Sequence, residues 1–357
     1  MDGVSTKTSA RPAARKRVPV AQKAINLALQ GGGAHGAFTW GVLDRLAEEE
    51  RIAFDGISAT SAGAMNAVVF AYGWSLAGRE GARKALADFW RRISDAARVA
   101  PLQPSWFDRM MQNYSLQFSP VFMAFDLISR LFSPYEFNPL NRNPLRDVLR
   151  DSVDFEALRK SDCPIKLFLS ATNVRSGKVK VFERSEICAD RTLASACLPF
   201  LFQAVEIEGE HYWDGGYMGN PALFPLIYNC ACSDIVVVHI NPLYREKLPR
   251  TAAEIMNRVN EISFNSSLMR EMRAIAFVTR LVDDGMVKSG DLRRLFIHAI
   301  SAEQEMNKLG VASKFNGDWT FLTYLRDTGR QHAHNWLAEN FDRLGRESTV
   351  DIRQQYL

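Results

Sequence analysis

The sequence predicts an α/β fold, a mainly parallel sheet with helices on both faces. Two observations carry this. Apolar runs of strand length alternate with segments of helical periodicity, and two strand-to-helix junctions are built from glycine and small residues, Gly31-Gly32-Gly33-Ala34-His35-Gly36 and Ala59-Thr60-Ser61-Ala62-Gly63. Such alternation favours parallel strands, because each helix returns the chain to the edge where the previous strand began.

In chain order, residues 25–29 (Ile-Asn-Leu-Ala-Leu) read as a buried strand, and residues 38–50 as a helix with Phe38, Val42, Leu43 and Leu46 on one side and an acidic last turn. Residues 54–58 form a second short strand leading into Ser61, with a helix after it at 62–70. Residues 80–99 are amphipathic and helical. Residues 165–171, 179–182 and 205–207 are further strands, and the β-branched run 234–240 is a core strand. From Thr251 onward the periodicity is mostly helical, through Arg280 and again over 318–343. There is no internal repeat.

The chain has 357 residues, 47% hydrophobic and 24% charged, the balance of a folded globular protein. Its formal charge of +4 is concentrated at one end. Residues 1–23 hold Lys7, Arg11, Arg15, Lys16, Arg17 and Lys23 against Asp2; subtracting these from totals of 44 and 40 leaves 38 basic against 39 acidic side chains. Nucleic-acid binding needs basic residues gathered on a face, so the body is not expected to bind nucleic acid. The first 23 residues read as a disordered basic tail, with weak attraction to anionic lipid headgroups as a lesser role. Cys163, Cys188, Cys197, Cys230 and Cys232, odd in number and scattered, read as reduced thiols. No apolar run reaches the roughly 18 residues needed to span a bilayer. No apolar core follows the basic start as in a secretory signal, so a cytoplasmic location is expected, with peripheral contact at the inner membrane face.

Residues 101–142 interrupt the alternation. Five prolines punctuate a stretch rich in Phe, Met and Trp, including Trp106, Met110, Phe118, Phe122, Phe132 and Phe137. It reads either as a lid or wall that admits acyl chains or as a helical subdomain packing its own core. The expected organisation is the tail at 1–23, a catalytic domain at 24–230 containing this apolar helical insertion, and a region at 231–357 with a final core strand and helices.

The two junctions, with Asp214-Gly215-Gly216, are the parts of a serine acyl hydrolase. A glycine-rich turn after a strand can direct bare backbone N–H groups at a developing oxyanion, and a serine between small residues suits a sharp turn that exposes its hydroxyl. The aspartate supplies a carboxylate to take the proton. This chemistry needs no cofactor and no metal, and no run of oxygen ligands at calcium-loop spacing occurs in the sequence.

On Gly31 to Gly36, Thr60-Ser61-Ala62-Gly63-Ala64, Asp214-Gly215-Gly216 and the approach Leu193-Ala194-Ser195-Ala196-Cys197-Leu198-Pro199-Phe200, the chain resembles a bacterial patatin-like phospholipase over roughly residues 24–230. Each motif alone is common; three in the family's order make the signal specific. The resemblance implies a three-layer α/β/α fold and a Ser/Asp dyad in place of a triad. Ser61 would be the nucleophile and Asp214 the base, with the Gly32 and Gly33 amides as oxyanion hole and Gly31, Gly36, Ala59, Gly63, Gly215 and Gly216 supporting the motifs. The implied function is hydrolysis of carboxylic esters of acyl lipids, as in a phospholipase A, lysophospholipase or esterase, with an acyl lipid as partner. Two positions depart from the family. Ala59 stands at the first glycine of the G-x-S-x-G elbow, adding a methyl where strand and helix pack. His35 stands where the family's loop commonly carries Arg or Lys, which makes any charge there pH-dependent.

Other readings compete. Gly31, Gly33 and Gly36 also fit a dinucleotide-binding loop, which wants an acid at the end of the second strand; Asp55 instead begins that strand, and Ser61 follows at once. A Ser/His/Asp hydrolase could draw on His239 at a predicted strand end or on His298, later than the acid in chain order, but its glycine motif and elbow would lie further apart. A lipid-binding or scaffolding protein could keep the fold without turnover. Acyl transfer to another acceptor, or attack on a storage polyester, would use the same dyad. Headgroup preference and oligomeric state are not encoded in any pattern found here.

Overall fold

A computed structural model of the chain describes residues 22–98, 124, 128, 131–287 and 292–357. The expected basic tail up to residue 21, and the insertion from 101 to 130 apart from Ala124 and Ile128, lie outside the described residues.

Eight strands form one mixed sheet: β1 (Lys23–Leu29), β2 (Ile52–Ala59), β3 (Lys166–Asn173), β4 (Val179–Glu183), β5 (Val205–Ile207), β6 (Glu210–Asp214), β7 (Asp234–His239) and β8 (Phe296–Ser301). Its core runs β3-β2-β1-β7-β8, all parallel, as the alternating pattern predicts. The antiparallel β4 lies along β3, and β5 and β6 form an antiparallel hairpin that also pairs with β3.

Four long helical segments cover the sheet: α1 (Gly36–Glu48), α2 (Ala62–Arg98), α3 (Ala252–Asp283) and α4 (Trp319–Asn340). Strand periodicity divides the core in two. Ile25, Leu27 and Leu29 of β1, with Val236 and Val238 of β7, face one apolar cluster with residues of α1, α2 and α4. Ala28, Ile235 and Val237 point the other way, onto Leu268, Met272 and Ile275 of α3. The result is three layers, α/β/α.

The helices expected at 62–70 and 80–99 are both present as the two halves of α2, separated by non-helical backbone at Ala77 and Gly78. There the chain doubles back, so that Trp90 Nε1 donates to Asn66 Oδ1 at 3.0 Å. The expected helical C-terminal region also contains β8, whose Phe-Ile-His-Ala-Ile-Ser stretch pairs along β7 and completes the sheet.

The described end of the insertion, from Leu131, contains one helical turn at Pro134–Phe137 and leaves Leu131, Phe132, Tyr135 and Leu140 exposed. It is tied to the segment before β5, where Gln203 Nε2 donates to Asn138 O at 2.9 Å. All five cysteines are unpaired.

Candidate active site

The register of β3 brings the motifs together. A strand has two edges, and β4 occupies one of them along Phe168–Thr172. β2, opposite Lys166 to Leu169, and β6, opposite Ala171 to Asn173, therefore share the other edge end to end. Ala59 at the tip of β2 pairs with Leu169, and Asp214 at the tip of β6 pairs with Ala171. The chain leaves β2 through Thr60 into Ser61, so the serine emerges beside the aspartate.

Ser61 has φ +56°, in the left-handed region that a serine enters only when its surroundings hold it there. Several bonds do so. Its N–H donates to Ser195 O at 3.1 Å and Ser195 Oγ at 3.0 Å, while its carbonyl accepts from Met65 in the first turn of α2. Ala59 is fully buried in the core as the last residue of β2, so the turn accommodates the added methyl.

Asp214 is completely buried. Its Oδ1 accepts the Gly216 N–H at 2.7 Å, its own N–H donates to Cys197 O at 2.7 Å, and its carbonyl accepts Thr172 Oγ1 at 2.8 Å. Burial raises its pKa to about 6, against the opposing pull of the Gly216 amide, the Ser61 hydroxyl and Lys314. The hydroxyl is thus close enough to act on the carboxylate, whose Oδ2 has no other partner among the described residues. A buried, unsatisfied carboxylate oxygen is costly, and so is a candidate for a functional role.

The glycine loop closes the third side. A Cβ on Gly31 would lie 2.5 Å from Ser61 Cβ, so only glycine lets the loop approach the serine. Gly33 has φ +59°, and a Cβ there would meet Lys314 O at 2.5 Å. Gly31 N–H is occupied, donating to Asn220 Oδ1 at 2.7 Å. The N–H groups of Gly32 and Gly33 have no acceptor among the described residues, as expected at the start of the helical turn Gly33–His35 that runs into α1. This helix and α2 both begin here, a setting that favours negative charge.

Several positioning residues lie outside the glycine loop, the serine turn and Asp214-Gly215-Gly216. Ser195 ties Ser61 to Gly215, whose N–H also donates to Ser195 O at 3.2 Å. Gln30 Oε1 accepts the N–H groups of Ile240 and Asn241, and its Nε2 donates to Asn265 Oδ1 at 3.1 Å. Asn241 Nδ2 donates to Gly31 O at 2.8 Å. Ser195 and Asn220 lie in or near stretches noticed in the sequence; Asn241, Asn265 and Lys314 had no sequence signal.

The other candidates fall elsewhere. His35 is buried beside the loop, bonded through Nε2 to Ser313 Oγ at 2.7 Å, and its pKa is held well below normal by burial, then by Lys314 and Arg245. It is therefore neutral at pH 7. His239 Nε2 contacts the Tyr356 hydroxyl, and burial lowers its pKa to about 4. His298 sits three residues back from the tip of β8, on Asp234 Oδ1 at 3.0 Å. No imidazole is among the groups acting on Asp214. Asp55 is engaged by the Ala231 and Cys232 amides and by Lys166 rather than facing the glycine loop. No cluster of metal-ligating groups occurs among the described residues.

The three-layer fold, with the serine turn, the glycine loop and the buried aspartate at one end of its sheet, is consistent with the lipid acyl hydrolase class. The profile of the family described as patatin-like phospholipase matches residues 27–227. That is more than half of the chain, which belongs to this family. Among solved structures the chain is similar to VipD from Legionella pneumophila, at 16% identity and a TM-score of 0.40, covering 89% of this chain and 67% of that one. It is also similar to a chain of the complex of full-length SpcU with full-length ExoU from the type III secretion system of Pseudomonas aeruginosa. There the identity is 13% and the TM-score 0.36, covering 91% of this chain and 53% of the other, so the present chain spans about half the length of that relative. A comparison with curated proteins finds no match.

Proposed function

We propose that this protein hydrolyses carboxylic esters of acyl lipids through an acyl-enzyme on Ser61, with Asp214 as the only general base. The observation that carries the reading is the buried Asp214 carboxyl, which the Ser61 hydroxyl acts on, whose Oδ2 is otherwise unsatisfied, and whose pKa of about 6 leaves it mostly ionised at pH 7 and still basic enough to take a proton.

In the first half-reaction Ser61 Oγ attacks the ester carbonyl carbon as its proton passes to Asp214. The carbonyl oxygen becomes an oxyanion that accepts hydrogen bonds from the free Gly32 and Gly33 amides, aided by the two helix N-termini. Collapse expels the alcohol, which takes the proton from Asp214, and leaves the acyl-enzyme. Asp214 then accepts a proton from water as the water attacks the acyl carbonyl, and returns it to Ser61 as the fatty acid leaves. The exposed Phe200 and Met218, on the segments that flank Asp214, supply apolar surface suited to acyl chains at a membrane face. No helix among the described residues is long and apolar enough to cross a membrane, in keeping with substrate reached from the surface.

The test is labelling with a fluorophosphonate probe alongside fatty-acid release from phospholipid vesicles and from a soluble ester. Wild type is expected to label and to turn over. Ser61→Ala should do neither, losing at least about a thousandfold in rate. Unchanged labelling of Ser61→Ala, or loss of turnover on replacing His239 or His298 as deep as that at Ser61, would falsify the dyad.

A further inference from the structure

We infer that Lys314 is an electrostatic positioning residue of the oxyanion loop, a fixed cation held against the glycine turn through Asn241 and drawn from the C-terminal region beyond the family match. This rests on the reading of Ser61 and Asp214 given above. Lys314 Nζ donates to Asn241 Oδ1 at 2.8 Å, and Asn241 Nδ2 donates to Gly31 O at 2.8 Å, so two hydrogen bonds join the ammonium to the loop backbone. The Lys314 carbonyl also crowds Gly33, against which a Cβ would lie at 2.5 Å. Side chain and main chain of one residue therefore brace the loop at both glycines that flank Gly32.

The charge around Lys314 is not balanced by a partner of its own. Glu261 on α3 is the strongest acid acting on it, but Glu261 already pairs with Arg245 at 2.5 Å and Arg258 at 3.2 Å. From the loop side comes His35, which is neutral; from β6 comes Asp214. The ammonium lies deep among protein atoms while the residue keeps part of its surface open, and the adjoining Gly33 is exposed. Holding an ammonium there is costly, and burial brings its pKa down to about 8.

A transfer of charge during the reaction gives that cost a use. As Ser61 attacks, Asp214 becomes neutral and one negative charge passes to the oxyanion at Gly32 and Gly33. The cation is tied through Asn241 to the glycine loop where that charge arrives. On this proposal Lys314 favours the transition state over the ground state, the condition for raising kcat rather than lowering KM.

The experiment measures kcat and KM on a soluble ester from pH 5 to pH 10 for the full-length wild type, Lys314→Met and Lys314→Arg, with Ser61→Ala as control. Lys314→Met should lose about tenfold or more in kcat with KM within about twofold. Its acid limb should move to higher pH, because Asp214 loses a cation that held its proton affinity down. Wild type should lose activity as pH rises through about 8, where Lys314 discharges, and Lys314→Arg should retain activity and carry that limb to higher pH because guanidinium stays charged. Full kcat in Lys314→Met, or an alkaline limb that is identical in wild type and Lys314→Arg, overturns the proposal. Should Lys314→Met not fold, the comparison of alkaline limbs decides by itself. Turnover by Ser61→Ala strikes the hydrolase reading instead, so the two failures are distinguishable.

Discussion

Asp214 carries the opposing demands of stability and chemistry in one side chain. A carboxyl moved from an ordinary 3.8 to about 6 by burial destabilises the folded protein by roughly 3 kcal/mol once ionised. The sign follows from linkage: folding favours the protonated form, so the penalty is absent below pH 3.8, grows up to about pH 6 and is complete above it. Asp214→Asn keeps an oxygen to accept the Gly216 N–H and removes the charge. It should abolish hydrolysis while melting higher than wild type at pH 7, with the gap closing toward pH 4; thermal melts across that range test it, and a lower melting point at pH 7 counts against a destabilising carboxylate. Wild-type kcat should fall as pH drops through about 6, because a protonated Asp214 cannot accept the serine proton. Ser61 and Asp214 were legible in the sequence as motif residues. Ser195 lay in a recognised stretch but without a role, and Asn241 had no sequence signal, because a polar contact across the fold leaves no local pattern.

At the scale of elements, α1 and α4 cross at backbone contact. A Cβ on Gly329 of α4 would lie 2.1 Å from Phe38 O of α1, with no flexible side chain between to yield. Gly329→Val should force the helices apart and cost about 1–3 kcal/mol or more, read as a lower melting temperature. A melting temperature equal to wild type would show that the crossing gives way freely. The parallel strands and their following helices were readable because buried strands are continuous apolar runs and the helices keep a 3.6-residue period. The separation of the two halves of α2 was readable as well, but not that the second half folds back on the first, since helical periodicity says nothing about direction. β8 was hidden too, six residues between long helical stretches whose strand character comes from pairing with β7.

In the whole molecule the stretch that carries the motifs is not self-sufficient. β7 lies along the free edge of β1, and Asn241, Asn265 and Lys314 all follow it in sequence. A chain ending at Cys230 would bare the edge of β1 in the middle of the sheet and release the glycine loop from its braces. It should accumulate as insoluble protein, and a soluble, active 1–230 fragment would refute this. The sequence by itself determined the α/β class, the mainly parallel sheet and the motifs that hold Ser61, Asp214 and the glycine loop, because periodicity and turn chemistry act between near neighbours. Only the tertiary structure decided that β2 and β6 meet end to end on β3, that His35 is sealed and uncharged, and that a lysine from near the C-terminus stands behind the loop. Those facts depend on register and on burial, and both are set by segments hundreds of residues apart packing against one another.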